Sequence, residues 1–83
     1  MDKAELRKRI VRVPGVCGGR PVIKGTRIDV VHMVGMLKAG ETVESIVEAY
    51  DWLTPDDIKA CQLYADEKPE EFAQAQRQQR GEE

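Results

Sequence analysis

The stretch Asp29-Val30-Val31-His32-Met33-Val34-Gly35-Met36-Leu37-Lys38-Ala39-Gly40-Glu41-Thr42-Val43-Glu44-Ser45-Ile46-Val47-Glu48-Ala49-Tyr50-Asp51-Trp52-Leu53-Thr54-Pro55-Asp56-Asp57-Ile58 decides the fold. Val30, Met33, Val34 and Leu37 recur at the spacing of one apolar helix face, behind Asp29 as an N-cap. Ile28 before that cap and Met33 after it match a hydrophobic staple, and Gly40 supplies the stop. Thr42 caps a second helix, in which Val43, Ile46, Val47 and Tyr50 repeat the spacing and Glu44 favours the dipole. Asp51-Trp52-Leu53 is a short link. Thr54, Pro55 and Asp57 then open a third helix with a capping-box pattern and a Leu53–Ile58 staple. That helix buries Ile58, Cys61, Leu63 or Tyr64, and Ala65, and stops before Pro69. Three short helices with tight links predict a mostly α protein, a three-helix bundle. The second and third have the proportions of a helix-turn-helix, although any small bundle shares that spacing.

Towards the N-terminus the period changes. Ile10-Val11-Arg12-Val13 alternates, Pro14-Gly15 breaks it, and Pro21-Val22-Ile23 reads as a second extended piece before a tight corner at Gly25. A short β-hairpin or strand arm therefore precedes the bundle. Strands this short leave open edges, so Ile10, Val11, Val13, Val22 and Ile23 are the expected dimerisation residues. The expected organisation is a basic arm at 1–8, a folded domain at 9–65 and an acidic, Gln-rich tail at 66–83. With Phe72 as its only large apolar residue, the tail is expected to solubilise the chain or fold onto a partner, through Phe72, Glu70 and Glu71.

The net charge of −2 conceals a split. Up to Lys38, nine basic residues face three acids; from Ala39 onward, four face twelve. One half thus suits a polyanion, unless the two signs attract each other across a dimer. Arg20, Lys24 and Arg27 surround a turn pinned by Pro21 and Gly25, and with Thr26 they are candidate contacts to DNA phosphate or guanine. Arg27 has an equal alternative in pairing with Glu48 or Asp51. Arg7, Lys8, Arg9 and Arg12 extend the basic surface, and Lys59 and Gln62 are the exposed polar candidates of the third helix.

Catalytic chemistry finds little to use. His32 is the one histidine, so no Ser-His-Asp or Cys-His set and no four-ligand zinc site can be assembled, and the glycines between 15 and 25 lack the phosphate-loop order. No enzyme activity, metal or cofactor is expected. Cys17 and Cys61 form no ligand pair and are expected as reduced thiols, with a single disulfide as the alternative. The chain has no apolar run approaching the roughly 20 residues of a membrane span and no leader-like start, which gives a cytoplasmic expectation.

The run Pro14-Gly15-Val16-Cys17-Gly18-Gly19-Arg20-Pro21-Val22-Ile23-Lys24-Gly25-Thr26-Arg27-Ile28 resembles the signature of the bacterial domain-of-unknown-function family 433. Gly40 to Ile46 and Tyr50 to Ile58 continue the likeness, which covers roughly residues 9 to 65. Two positions depart from it: Asp29 and Asp51 stand where the family often has proline, and both suit the start of a helix or turn. Members resemble VapB-type antitoxins with a homeodomain-like helix-turn-helix. The resemblance implies a homodimer that neutralises a PIN-like ribonuclease toxin and binds double-stranded operator DNA to repress its own transcription. The alternatives are a stand-alone helix-turn-helix regulator and a protein-interaction adaptor that binds no DNA.

Overall fold

Each helix begins where a side chain can satisfy its first free N–H groups. The computed structural model describes residues 2–81, and in it the Asp2 carboxylate accepts from Glu5 N at 2.9 Å to open α1 (Lys3–Arg7). Asp29 accepts from Val31 N at 2.8 Å to open α2 (Val30–Lys38). Reciprocal capping boxes, Thr42 with Ser45 and Thr54 with Asp57, open α3 (Val43–Ala49) and α4 (Pro55–Glu67). A fifth helix, α5 (Pro69–Gly81), follows α4 after Lys68 alone. At the end of α2, Glu41 N donates to Met36 O and Gly40 N to Leu37 O, both at 3.1 Å. This Schellman closure holds Gly40 at φ +104°, a conformation costly for a residue with Cβ.

Strands β1 (Ile10–Val11) and β2 (Val22–Ile23) pair antiparallel, Ile10 with Ile23 and Val11 with Val22. A turn closed by Val16 N donating to Val13 O at 3.1 Å and a 3-10 segment (Cys17–Gly19) connect them. The expected hairpin is present, yet its edges differ from those read in the sequence. The second side of β2 is occupied by the chain itself, through a Val22–Asp29 bridge and a bond from Ile23 N to Ile28 O at 3.1 Å. Val22 and Ile23 are fully buried core residues, so neither offers a side chain to a second copy. Ile10 and Val11 are half-buried, and Val13 lies beyond β1 with 41% of its surface exposed.

The core gathers Ile23, Val30, Met33, Val34, Ile46, Leu53, Ile58 and Cys61 from β2, the helices and the α3–α4 link. Phe72 and Ala75 of α5 belong to the same core, at 6% and 1% exposure. The expected tail at 66–83 divides differently: Asp66 and Glu67 complete α4, residues 69–81 form α5 on the body, and 82–83 lie outside the described residues. The reason is geometric. Phe72 and Ala75 pack into the cluster of buried side chains, and Phe72 also lines, with Val34, Leu37 and Ala65, an open cleft of about 680 Å³ between α2, α4 and α5. The ammonium of Lys38 lies 5.6 Å from the centre of the Phe72 ring, a cation–π contact at the same cleft. The Cα radius of gyration, 12.0 Å, matches about 12 Å expected for a folded chain of this length.

Candidate functional site

The charged halves of the sequence meet inside one molecule. Arg20 is the most buried case: its Nε–H donates to Asp29 Oδ2 at 2.7 Å, with the two side chains 9% and 7% exposed. Asp29 thus performs two tasks, holding the arginine with one oxygen and capping α2 with the other. Arg9 reaches Asp57 Oδ1 at 2.6 Å, while the second oxygen of Asp57 closes the α4 capping box. Arg7 grips Glu67 through two parallel N–H donors at 2.9 and 2.7 Å. Arg12 stands near Gly19 O, Tyr64 Oη and, at 3.7 Å, Glu71. Four of the five arginines before residue 38 therefore brace the N-terminal segment to α2, α4 and α5.

This rearranges the expected DNA-contact set. Arg20 is withdrawn from the surface, because an unpaired Asp29 carboxylate in its place would be strongly disfavoured. Thr26 is engaged too: its hydroxyl donates to Ile23 O at 2.7 Å and accepts from Ile28 N at 3.0 Å, fixing the turn at Gly25, whose φ is +80°. Lys8, Lys24 and Arg27 are exposed, and no carboxylate partner lies within ion-pair distance of them among the described residues. Arg27 pairs with neither Glu48 nor Asp51; its backbone carbonyl instead accepts from Cys17 Sγ at 3.2 Å. Lys59 and Gln62 are exposed on α4. The tail residues separate similarly: Phe72 is in the core, whereas Glu70 is exposed and Glu71 reaches Lys68 and Arg12.

Helices α3 and α4, joined by residues 50–54, are compatible in length with a helix-turn-helix. Their junction carries features that the sequence showed only as a link. Trp52 is 58% exposed, and its ring meets Tyr50 edge to face, with centroids 5.8 Å apart. Glu44, Glu48, Asp51 and Asp56 lie on α3, the turn and the first turn of α4, and none has a cation within ion-pair distance among the described residues. Between α3 and α4 runs an open groove of about 450 Å³, lined by Val43, Glu44, Val47, Pro55 and Lys59. A readable signal existed: an aromatic within a polar link, flanked by acids that capping does not require.

The thiols are free and reduced, Cys17 half-buried and Cys61 within the core. Burial first, then the nearby Asp57 and Asp29 carboxylates, push the Cys61 thiol up to about 12, so it is inert as a nucleophile. Among the described residues no group of three His, Cys, Asp or Glu is placed to hold a metal, and no helix is long and apolar enough to cross a membrane.

The Arg7 donors hold the Glu67 carboxyl below its ordinary range, and Glu67 in turn raises Arg7. A depressed acid stabilises the fold above its ordinary titration range and loses that contribution as pH falls through the lowered value. The shift of the Arg7 Nε–H, which donates to Glu67, should accordingly show an acid step that Glu67→Gln abolishes. A step of equal size in that variant would contradict the Arg7–Glu67 attachment of α1.

Residues 10–65 match the family described as "Protein of unknown function (DUF433)". The chain is 34% identical over 68 residues to the uncharacterized protein y4eO of Sinorhizobium fredii (strain NBRC 101917 / NGR234). That match covers 82% of this chain and 31% of y4eO, so the chain spans about a third of the relative's length. It also superposes on the crystal structure of a DUF433 member protein from Anabaena variabilis ATCC 29413, with a TM-score of 0.75 and 32% identity. That likeness covers 86% of this chain and 70% of the other. With its hairpin, α2, α3 and most of α4 inside the matched segment, the chain belongs to the DUF433 family.

Proposed function

We propose that this chain is a non-catalytic antitoxin-type protein that acts by protein contact, neutralising a PIN-like ribonuclease toxin by covering its RNA-binding groove. The observation that carries the reading is the internal engagement of Arg7, Arg9, Arg12 and Arg20, beside four carboxylates around the α3–α4 turn that have no cation within ion-pair distance among the described residues. What the folded chain turns outward there is acidic. A ribonuclease needs a cationic groove to hold phosphate, and an acidic, rigid protein surface is complementary to it. The test is co-expression with a PIN-like ribonuclease encoded beside this chain, with growth rescue and co-purification as readouts. Rescue with a stable complex supports the reading; toxicity undiminished at excess of this chain overturns it.

A second reading, operator binding, is favoured by the α3–α4 proportions and by the exposed Lys24, Arg27, Lys59 and Gln62. Asp56, near the end of α4 that a recognition helix points at DNA, works against it. With the four cations Lys8, Lys24, Arg27 and Lys59 available per copy, affinity should fall only about 150-fold between 50 and 200 mM salt. A fall on the order of 10³-fold per copy, read by fluorescence anisotropy, would mean that the braced arginines are released to DNA. Pairing of two copies, if it accompanies either role, has Val13 and the outer parts of Ile10 and Val11 as its apolar surface in the hairpin.

A further inference from the structure

We infer that the α3–α4 turn is the docking face, and that its occupant is a cationic segment of a protein partner, with an arginine or lysine seated on Trp52. The inference rests on the protein-contact reading and specifies where that contact is made. A tryptophan 58% exposed in so small a domain leaves a large apolar ring in water, and tryptophan is also the best aromatic acceptor for a cation. The ring is preorganised. Tyr50 meets it edge to face, Leu53 beside it is anchored in the core, and the Thr54–Asp57 box fixes the chain beyond. Between the two helices that the turn joins, Val43, Val47 and Pro55 line a groove that offers an apolar seat.

Charge selects the occupant. Glu44 lines the groove with Lys59, and Glu48, Asp51 and Asp56 lie on α3, the turn and the first turn of α4; among the described residues none of the four acids has a cation within ion-pair distance. Lys59 has no carboxylate within ion-pair distance among the described residues, so it does not neutralise Glu44. Elsewhere the acids Asp29, Asp57, Glu67 and Glu71 are matched by arginines. Asp2, Glu5, Glu41, Asp66 and Glu70 also lack a cation within ion-pair distance among the described residues. They are spread over the α1 end, the α2–α3 link, α4 and α5, whereas the α3–α4 turn sets its unmatched acids beside the exposed Trp52. Such a face repels a polyanion and attracts a basic peptide, with the carboxylates steering the approach and the ring and groove holding the bound segment.

The experiment titrates the full chain with a short arginine-leucine-serine peptide and with its citrulline counterpart, which keeps the shape without the charge. Trp52 is the only tryptophan, so its emission reports the site directly, and the anisotropy of a labelled peptide reports affinity in variants. Expected are saturable binding of the arginine peptide, and losses of about tenfold for Trp52→Ala and for the Glu48→Gln/Asp51→Asn pair. Asp66→Asn, near the far end of α4, should bind as the parent does. Absence of binding, equal binding of the citrulline peptide, or affinities in both site variants equal to that of Asp66→Asn would each overturn the inference. So would sedimentation showing a dimer that Trp52→Ala dissociates, since the occupant would then be a second copy. Toxin rescue separates the two levels: undiminished rescue by the Trp52→Ala chain overturns this docking face alone, whereas failure of the parent chain overturns the protein-contact reading.

Discussion

Replacing Arg20 by alanine is expected to destabilise the folded chain by about 3–5 kcal/mol, the range for removing one partner of a buried ion pair. The pair is enclosed, with both side chains under a tenth exposed, and Asp29 would be left with its cap to Val31 N and no cation. A small domain holds roughly 5–15 kcal/mol in total, so the variant should lose about a fifth or more of its stability in a urea melt followed by helix circular dichroism. Arg7→Ala should cost far less, because its pair with Glu67 is largely in solvent. If the two variants melt alike, the Arg20–Asp29 brace is not what the geometry says it is.

Phe72→Ala is the second large effect, at about 3–5 kcal/mol for an aromatic truncated within a core. The ring lies with Val34 and Leu37 of α2 and Ala65 of α4 along one cleft, and Lys38 covers it. Were residues 69–81 instead a segment kept free for a partner, the substitution would alter binding and leave the melt unchanged. For the same reason a chain cut after Lys68 should unfold more readily, which makes tail deletion a test of stability before it is a test of partner binding.

The parts legible in the sequence are those encoded locally. Asp29, Thr42 and Thr54 cap helices where their neighbours require it, and the i, i+3, i+4 stripes of α2 and α3 face the core. Gly25 and Gly40 hold positive φ at the corners where they were expected. Helix α5 was obscured because alanine adds little to an apolar stripe read in isolation, yet Ala75 is buried almost completely in the folded core. The arginine partners were obscured for another reason. Arg9 and Asp57 are 48 residues apart and Arg7 and Glu67 are 60 apart, beyond any local period. Opposite charge in two halves of a chain is equally consistent with two different ligands and with each half being the other's partner. Only the fold distinguishes these, and it brings the halves together. The α3–α4 turn shows the converse: its residues are adjacent in sequence, but exposure of Trp52 follows from the way Tyr50 and Leu53 are held on either side.

The claim at the centre of this account is that the arginine-rich segment is occupied by the protein's own acids and is not held out for phosphate. A proton–nitrogen correlation spectrum of the arginine side chains, recorded while duplex DNA is added at physiological salt, addresses it directly. Arg7 and Arg20 donate through Nε–H, so their signals should be sharp, slow to exchange and unmoved by DNA, with any displacement confined to Arg27 among the arginines before residue 38. Saturating, concerted displacement of the Arg7, Arg9, Arg12 and Arg20 signals would contradict the account and return those residues to a nucleic-acid surface.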